Sequence, residues 1–194
     1  MPWDLFCRVV DNFGDVGVCW RLAADLAGRG VAVRLWVDDA SALAWMAPDR
    51  AVTHPAVDVR PWDEAEAAPP GPGPVVIEAF GCDPPAAFVA RMAALPRPPV
   101  WINLEYLSAE DHVERSHRLP SPQFGGPGAG LVKHFFFPGV TRATGGLLRE
   151  PGLLDRQAGF DGEAWRAAHG WAARPGERTV SLFCYPSAPV GPLL

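Results

Sequence analysis

Two carboxylates lie four residues apart in a glycine-containing turn near the start of the chain. The stretch VVDNFGDVGVCWR, residues 9–21, carries Asp11 and Asp15 and has no basic residue before Arg21. An apolar run precedes this turn and a helix-like stretch follows it, an arrangement that commonly binds anions at a helix N-terminus. Two negative charges would oppose a phosphate at this position, so the turn needs a different chemical explanation.

Three explanations of the turn are open from the residues alone. In a dinucleotide site Gly14 and Gly17 would form the turn and Asp38 would hold a ribose, but the G-x-G-x-x-G spacing is absent. In a purely structural turn Asp15 would cap the helix and Asp11 would bind loop amides. In a catalytic turn the substrate would be cationic or would yield a proton, with one carboxylate orienting it and the other acting as base.

The surrounding chain predicts strands that alternate with helices. Such alternation is typical of a largely parallel sheet with helices on both faces. Residues 64–74, EAEAAPPGPGP, are expected to form a surface connection, because their prolines and glycines cannot hold a helix. Strands are predicted at 3–10, 31–37, 57–62, 75–80, 100–104, 131–137 and 179–185, and helices at 16–27, 40–46, 84–95, 108–117 and 161–171.

Acidic residues follow several of the predicted strands. Ligand sites of such sheets lie beyond the carboxyl ends of the strands. We therefore expect one acidic rim there, formed by Asp11 with Asp15, Asp38 with Asp39, the segment from Glu78 to Asp83, and Glu105.

Composition indicates an ordinary soluble protein. Apolar residues make up 48% of the 194 residues and charged residues 20%. The net charge of −5 gives no electrostatic attraction for nucleic acid or an anionic membrane, so neither partner is expected. The four cysteines form no C-x-x-C pair, which predicts buried thiols in a reducing, cytoplasmic compartment and no structural zinc. The first ten residues make a poor signal peptide, and no apolar stretch is long enough to span a membrane.

Several long motifs carry a family resemblance. They are WDLFCRVVDNFGDVGVCWRLAADLAGRGVAVRLWVDD, VVIEAFGCD, WINLEYLSAEDHVERSH, FFFPGVTRATGGLLRE and VSLFCY, in this order along nearly the whole chain. With these motifs the chain resembles the protein-arginine rhamnosyltransferases that mature bacterial elongation factor P. The resemblance implies a GT-B glycosyltransferase with two facing Rossmann-like lobes. It also implies transfer of L-rhamnose from dTDP-β-L-rhamnose to one arginine of elongation factor P, with inversion at the anomeric carbon and without a metal or other cofactor.

The resemblance implies that Asp11 and Asp15 act on the guanidinium of the acceptor arginine. A guanidinium presents a planar fork of donors that suits carboxylates, and its pKa above ~12 prevents it from losing a proton unaided. By the family's motif, Asp15 is the expected general base and Asp11 the expected orienting partner. Asn12, Phe13 and Gly14 would then line the sugar-nucleotide side of the turn.

Four aromatic or acidic residues outside the turn complete the expected site. Phe183 and Tyr185 match family positions near the nucleotide, although strand aromatics that pack in a core would look the same. Glu105 and Tyr106 are candidates for contact with the acceptor protein, although a packing role at the edge of the sheet also fits them.

The resemblance also predicts a domain division. Residues 1–178 would form the N-terminal, acceptor-side lobe, and 179–194 would begin a nucleotide-sugar-binding lobe that is largely missing. The main alternative function is therefore a catalytically incomplete module that binds the acceptor without turnover. A nucleotide-dependent oxidoreductase is a more distant alternative.

Overall fold

A computed structural model describes residues 1–10, 13–172, 174, 176–182, 184 and 188–191 of the chain. The chain divides into two compact units, Met1–Pro151 and Gly152–Leu194. The division predicted at residue 178 concerns the two lobes of the family, and it stays a prediction. Within the described residues, no helix is both long enough and apolar enough to span a membrane.

The first unit is built on a seven-stranded sheet with the order β3-β2-β1-β4-β5-β7-β6. All neighbouring strands pair in parallel except β6 and β7, which are antiparallel. The order reverses direction between β1 and β4, and crevices at such reversals are the usual ligand sites of Rossmann-like sheets. The strands are β1 (Trp3–Cys7), β2 (Val33–Val37), β3 (Val57–Pro61), β4 (Val75–Ala79), β5 (Val100–Leu104), β6 (Pro120–Pro122) and β7 (Val132–Phe136).

Helices connect the strands of this sheet. The longest, α1, follows β1 directly and has 15 residues, and a short 3-10 helix occupies Gly126–Gly128. The helices are α1 (Gly14–Gly28), α2 (Leu43–Met46), α3 (Arg50–Thr53), α4 (Trp62–Ala67), α5 (Ala86–Ala93) and α6 (His112–Ser116).

Two buried clusters cover the two faces of the sheet. On one face Cys19 and Ala23 of α1 pack with Leu5 and Leu35. On the other face Phe88 of α5 packs with Phe6 of β1 and Trp36 of β2. Phe6 and Trp36 are the sequence neighbours of Leu5 and Leu35, and their side chains point to the opposite face of the sheet. Alternate residues of each strand therefore supply the two cores, which is why the central strands have near-continuous apolar sequences. The α/β prediction with a doubly wound, Rossmann-like sheet is confirmed at this level.

Some local predictions were wrong. The segment 64–74 was expected to lack a helix, but α4 covers Trp62–Ala67, since all the prolines and glycines of that segment come after Ala68. The edge strand β6 was not predicted, because PSP has none of the residues that favour strands. The first strand ends at Cys7 and not at residue 10, which leaves residues 8–10 in the loop before the turn.

The second unit contains α7 (Leu153–Ala158) and α8 (Gly162–Ala168). Asp161 caps α8, because its carboxylate accepts hydrogen bonds from the N–H groups of Glu163 and Ala164 at 3.0 and 2.9 Å. The strand predicted at 179–185 is wrong for the residues that the structure describes there, 179–182 and 184, which are in no strand.

Candidate active site

Asp15 lies where the sheet order reverses. It is the second residue of α1, and its side chain is in the first turn of that helix, where the N-terminal backbone amides favour a negative charge. Only 4% of its surface is exposed. A carboxylate is thus held beside the crevice at the carboxyl end of the sheet.

The N-terminal cap of α1 is Phe13, not Asp15. The structural explanation in which Asp15 caps the helix is therefore wrong. Its Oδ2 instead accepts a hydrogen bond from the Val10 N–H at 3.0 Å, across the turn. This bond joins the loop after β1 to the start of the helix, so Asp15 binds a loop amide even though it is not the cap.

A second hydrogen bond reaches Asp15 from a distant part of the chain. The Tyr106 hydroxyl donates to Asp15 Oδ1 at 3.0 Å. Tyr106 follows β5, so the bond crosses the crevice between strand ends. Partial burial of the hydroxyl, followed by the hydrogen bond to the Asp15 carboxylate, raises the pKa of Tyr106 to about 12. The phenol is consequently a neutral donor at physiological pH.

The ring of Tyr106 stacks on Phe80, with ring centroids 4.0 Å apart and an angle of 6° between the planes. Phe80 follows β4 and has a φ of +58°, a left-handed conformation that is rare for a bulky residue. Its N–H donates to the Leu104 carbonyl at 2.7 Å, which continues the pairing of β4 and β5 beyond the strands.

A cavity of about 610 Å³ opens beside Tyr106. Its walls are mainly apolar and come from α1, the ends of β4, β5 and β7, and the loop that follows β7. The cavity is lined by Val18, Arg21, Leu22, Phe80, Leu104, Glu105, Tyr106, Leu107, Phe136, Pro138, Gly145, Gly146, Leu147 and Leu148. Glu105 brings a carboxylate to this wall, and it accepts a hydrogen bond from Asn103 Nδ2 at 2.5 Å.

The structure brings three of the candidate residues together. Asp15 and Tyr106 are in contact, and Glu105 lines the same cavity as Tyr106. Phe13 lies beside the turn, half exposed, with its ring 5.3 Å from that of Trp45. Gly14 begins α1, and apart from its chain neighbours and the backbone of its own helix, no atom of the described residues lies within 4 Å of the position that a Cβ would take there. The other candidates, Asp11, Asn12, Phe183 and Tyr185, lie outside the described residues.

The acidic rim is smaller than expected. Glu78 was placed there by its position near a strand end, but its side chain is fully buried and is paired with Lys133. Asp38 binds backbone amides: its Oδ1 accepts hydrogen bonds from the N–H groups of Val9 and Asp39 at 2.9 Å each. Asp38 thus holds the loop that leads into the turn, a role that needs no ribose.

The raised pKa values of Cys19 and Cys82 argue against a nucleophilic thiol near the turn. A hydrogen bond with Cys7, together with burial, raises the pKa of Cys19 well above its ordinary value. Burial raises the pKa of Cys82 to about 12. A nucleophilic cysteine needs a lowered pKa, so neither residue suits that chemistry. Among the described residues, no group of three or more His, Cys, Asp or Glu side chains could hold a metal ion.

Phe80 and the loop after β7 were missed from the sequence. Phe80 ends the apolar run VVIEAF, and its position just past a strand end was the available signal. Nothing in the sequence marks its left-handed backbone, because glycine or asparagine is the usual occupant of that conformation.

Comparison with known sequences decides the family. Residues 3–194 match the family described as Elongation-Factor P (EF-P) rhamnosyltransferase EarP. The chain belongs to this family. The resemblance that the sequence motifs carry is therefore confirmed.

Three of these relatives are each named a protein-arginine rhamnosyltransferase. The relative from Pseudomonas putida is 52% identical over 200 residues, which cover 97% of this chain and 52% of the relative. The relative from Pseudomonas aeruginosa is 48% identical over 94% of this chain and 50% of its own length. The relative from Shewanella oneidensis is 41% identical over 84% of this chain and 42% of its own length. The chain thus spans about half the length of the curated relatives it matches.

Proposed function

We propose that this protein is a protein-arginine rhamnosyltransferase that moves L-rhamnose from dTDP-β-L-rhamnose to an arginine of elongation factor P, which activates that factor for translation in the cytoplasm. Membership of the EarP family supports the reaction class, and the observation that carries the assignment to this site is the buried Asp15 carboxylate at the reversal of the sheet. The first unit would serve as the N-terminal lobe of a GT-B enzyme.

The proposed step is a single displacement. A guanidinium nitrogen of the acceptor attacks the anomeric carbon, the bond from that carbon to the diphosphate oxygen breaks, and dTDP leaves with the electron pair. Attack from the opposite face inverts the configuration. Asp15 takes the one proton that the attacking nitrogen loses as the new C–N bond forms, so the rhamnosylated guanidinium keeps its single positive charge.

The contacts of Asp15 are compatible with this role. An ionised carboxylate has about four acceptor positions, so bonds from Val10 and Tyr106 are compatible with a further donor from the substrate. Val10 and Tyr106 are neutral donors, so neither of them supplies a positive charge to the carboxylate. Asp11 is proposed to orient the guanidinium from the same turn.

The remaining candidates have proposed substrate contacts. Asn12, Phe13 and Gly14 would line the sugar-nucleotide side of the turn, and Phe183 and Tyr185 would contact the nucleotide. Glu105 is proposed to face the acceptor protein, because its carboxylate lies in the apolar wall beside Tyr106, where it could attract the arginine that elongation factor P would present.

The test is Asp15→Asn in the full-length protein, assayed by the mass that elongation factor P gains from one deoxyhexose. The amide keeps the shape but cannot take a proton, so transfer should fall at least ~10²- to 10⁴-fold, the usual contribution of a general base. The matched control is Asp25→Asn on the same helix, where the carboxylate pairs only locally with Arg29. It should transfer at the wild-type rate.

Two results would contradict the proposal at different levels. Near wild-type transfer by Asp15→Asn would remove Asp15 as the base while leaving the activity in place. Absence of transfer by the full-length wild-type protein, with dTDP-rhamnose and elongation factor P both present, would remove the activity itself.

A second candidate function is an acceptor-binding module without turnover. It is favoured by the fraction of the relatives that the chain spans, about half. The 194-residue chain should then bind elongation factor P, more weakly at high salt because exposed charges are screened over ~8–10 Å, and should add no rhamnose. Rhamnose transfer by these 194 residues would exclude this alternative.

A further inference from the structure

We infer that Tyr106 is a positioning residue for Asp15: its hydroxyl fixes the carboxylate in the orientation that takes the proton. The inference rests on the proposed function, in which Asp15 is the base. It gives Tyr106 a different role from the acceptor contact that the sequence suggested.

The two oxygens of Asp15 are held from two directions along the chain. Val10, just before the turn, donates to Oδ2, and Tyr106, after β5, donates to Oδ1, each at 3.0 Å. The terminal torsion of an aspartate is soft and nearly two-fold, so its carboxylate plane is set by the donors that bind its oxygens. A donor on each oxygen defines that plane, and the Tyr106 bond is the one that comes from across the crevice.

The phenol of Tyr106 is itself held in place. Its ring lies flat on Phe80 at 4.0 Å, and Phe80 keeps a left-handed backbone that a bulky side chain rarely adopts. Such conformations persist where the surrounding structure enforces them, and they concentrate at functional sites. The residue before Tyr106 is also fixed, because the Glu105 N–H donates to the Phe136 carbonyl at 2.9 Å.

A role in core packing does not explain Tyr106. The residue is 53% exposed and lies in the wall of the open cavity, so its ring contributes little to the two buried clusters. Its hydroxyl could bond to water instead, but it bonds to a side chain that is 4% exposed. Because the pKa of Tyr106 is raised to about 12, the hydroxyl keeps its proton and serves as a donor rather than as a second base.

The first experiment tests the contact in the 194-residue chain and needs no activity. The chain has two tyrosines, so Tyr185→Phe leaves Tyr106 as the only one, and its phenol carbon can be followed by ¹³C NMR after isotope labelling. At about pH 11 an ordinary tyrosine is mostly ionised, whereas Tyr106 should be mostly neutral. Asp15→Asn removes the neighbouring charge and should increase the ionised fraction of Tyr106. Asp25→Asn should not. An unchanged ionised fraction in the Asp15→Asn chain would overturn the contact.

The second experiment tests the role in the full-length protein. Tyr106→Phe keeps the ring on Phe80 and removes only the hydroxyl. We expect kcat to fall about 10- to 100-fold, the size expected for a misplaced reacting group, with the KM values of both substrates changed by less than about two-fold. The matched control is Ser108→Ala, which removes a hydroxyl from the same loop where Ser108 Oγ accepts from the Glu110 N–H, and it should keep the wild-type kcat.

The outcomes separate this inference from the function beneath it. An unchanged kcat in Tyr106→Phe would overturn the positioning role of Tyr106. The proposed function would still stand if the wild-type protein transfers rhamnose. A raised KM for elongation factor P at unchanged kcat would also overturn it, and would make Tyr106 an acceptor contact. If the full-length wild-type protein transfers no rhamnose, the proposed function fails and the positioning role fails with it.

Discussion

A buried ion pair joins three neighbouring strands beneath the candidate site, and removing its lysine gives a sharp test of the fold. Lys133 Nζ of β7 lies 2.5 Å from Glu78 Oε1 of β4, and β5, the strand of Trp101, lies between these two strands in the sheet. The Trp101 indole N–H donates to Glu78 at 3.0 Å, and the Lys133 ammonium is 4.9 Å from the centre of the Trp101 ring. Lys133→Met keeps most of the aliphatic stem but removes the charge, so Glu78 is left with its indole partner and no cation.

The expected loss follows from the burial of Glu78, whose surface is 0% exposed. Breaking a buried pair by removing one partner costs ~3–5 kcal/mol. The hydrogen bond from Trp101 is retained, which favours the lower end, so we expect about 3 kcal/mol at neutral pH. For a chain of this size that corresponds to a fall in Tm of about 6–12 °C.

The loss should depend on pH. Burial raises the pKa of Glu78 above its ordinary value of 4.5, even though Lys133 acts to lower it. A carboxyl whose pKa is higher in the folded state costs no stability at low pH, and the cost develops as the pH rises from 4.5 towards the folded-state pKa. Without Lys133 the folded-state pKa rises further. The destabilisation of Lys133→Met should therefore be smaller at about pH 5 than at about pH 7, because Glu78 can then take up a proton.

Urea unfolding of the 194-residue chain, followed by circular dichroism at both pH values, measures these differences. The control is the double variant Lys133→Met with Glu78→Gln, which removes the buried charge as well and should recover most of the stability that the single variant loses. Equal stability of the single and double variants, or a loss that does not change with pH, would refute the reasoning.

Two further predictions concern a close backbone approach at Gly73 and the side chain that caps α8. Gly73→Ala should destabilise the chain by more than ~2 kcal/mol in urea unfolding, because a Cβ there would lie 1.8 Å from the Pro2 carbonyl oxygen, whereas Gly71→Ala, with nothing within 4 Å, should be almost neutral. Destabilisation of both variants to the same extent would contradict this close approach. Asp161→Ala should weaken α8 by ~1 kcal/mol through loss of its N-terminal cap, seen as reduced helical NMR shifts over 162–168 with the first unit unchanged. Unchanged shifts there would mean that the cap does not hold the helix.

The local pattern of the sequence predicted the sheet but not its edge. Apolar runs separated by amphipathic stretches are a local signal, and the five inner strands and α1 follow from it within a few residues. The strand β6 has only the sequence PSP, and proline is tolerated in it because β6 is an edge strand that pairs with β7 alone. The place of β6 in the sheet depends on its pairing with β7, and the types of its own three residues do not indicate that pairing.

Glu78 shows why a strand-end carboxylate was assigned to the wrong environment. The run VVIEAF is apolar on both sides because both faces of the central sheet are covered, so its period does not tell which way Glu78 points. Its partner Lys133 comes from 55 residues later in the chain. The only lysine of the sequence thus forms a buried ion pair with Glu78, and the amino-acid composition alone did not predict this role.

Asp15 and Tyr106 were both assigned to the carboxyl edge of the sheet, and their contact needed the strand order as well. The hydrogen bond between them joins residues 91 positions apart. It forms because β4 is inserted between β1 and β5, which brings the segment after β5 within reach of the turn after β1 and places Phe80 beneath the tyrosine ring. The strand order is a property of the whole sheet, and the left-handed backbone of Phe80 is an exception to the preference of its residue type. The position of Asp15, the proposed base, could therefore be predicted from its own neighbourhood, whereas its hydrogen bond with Tyr106 could be found only once the strands were in their places.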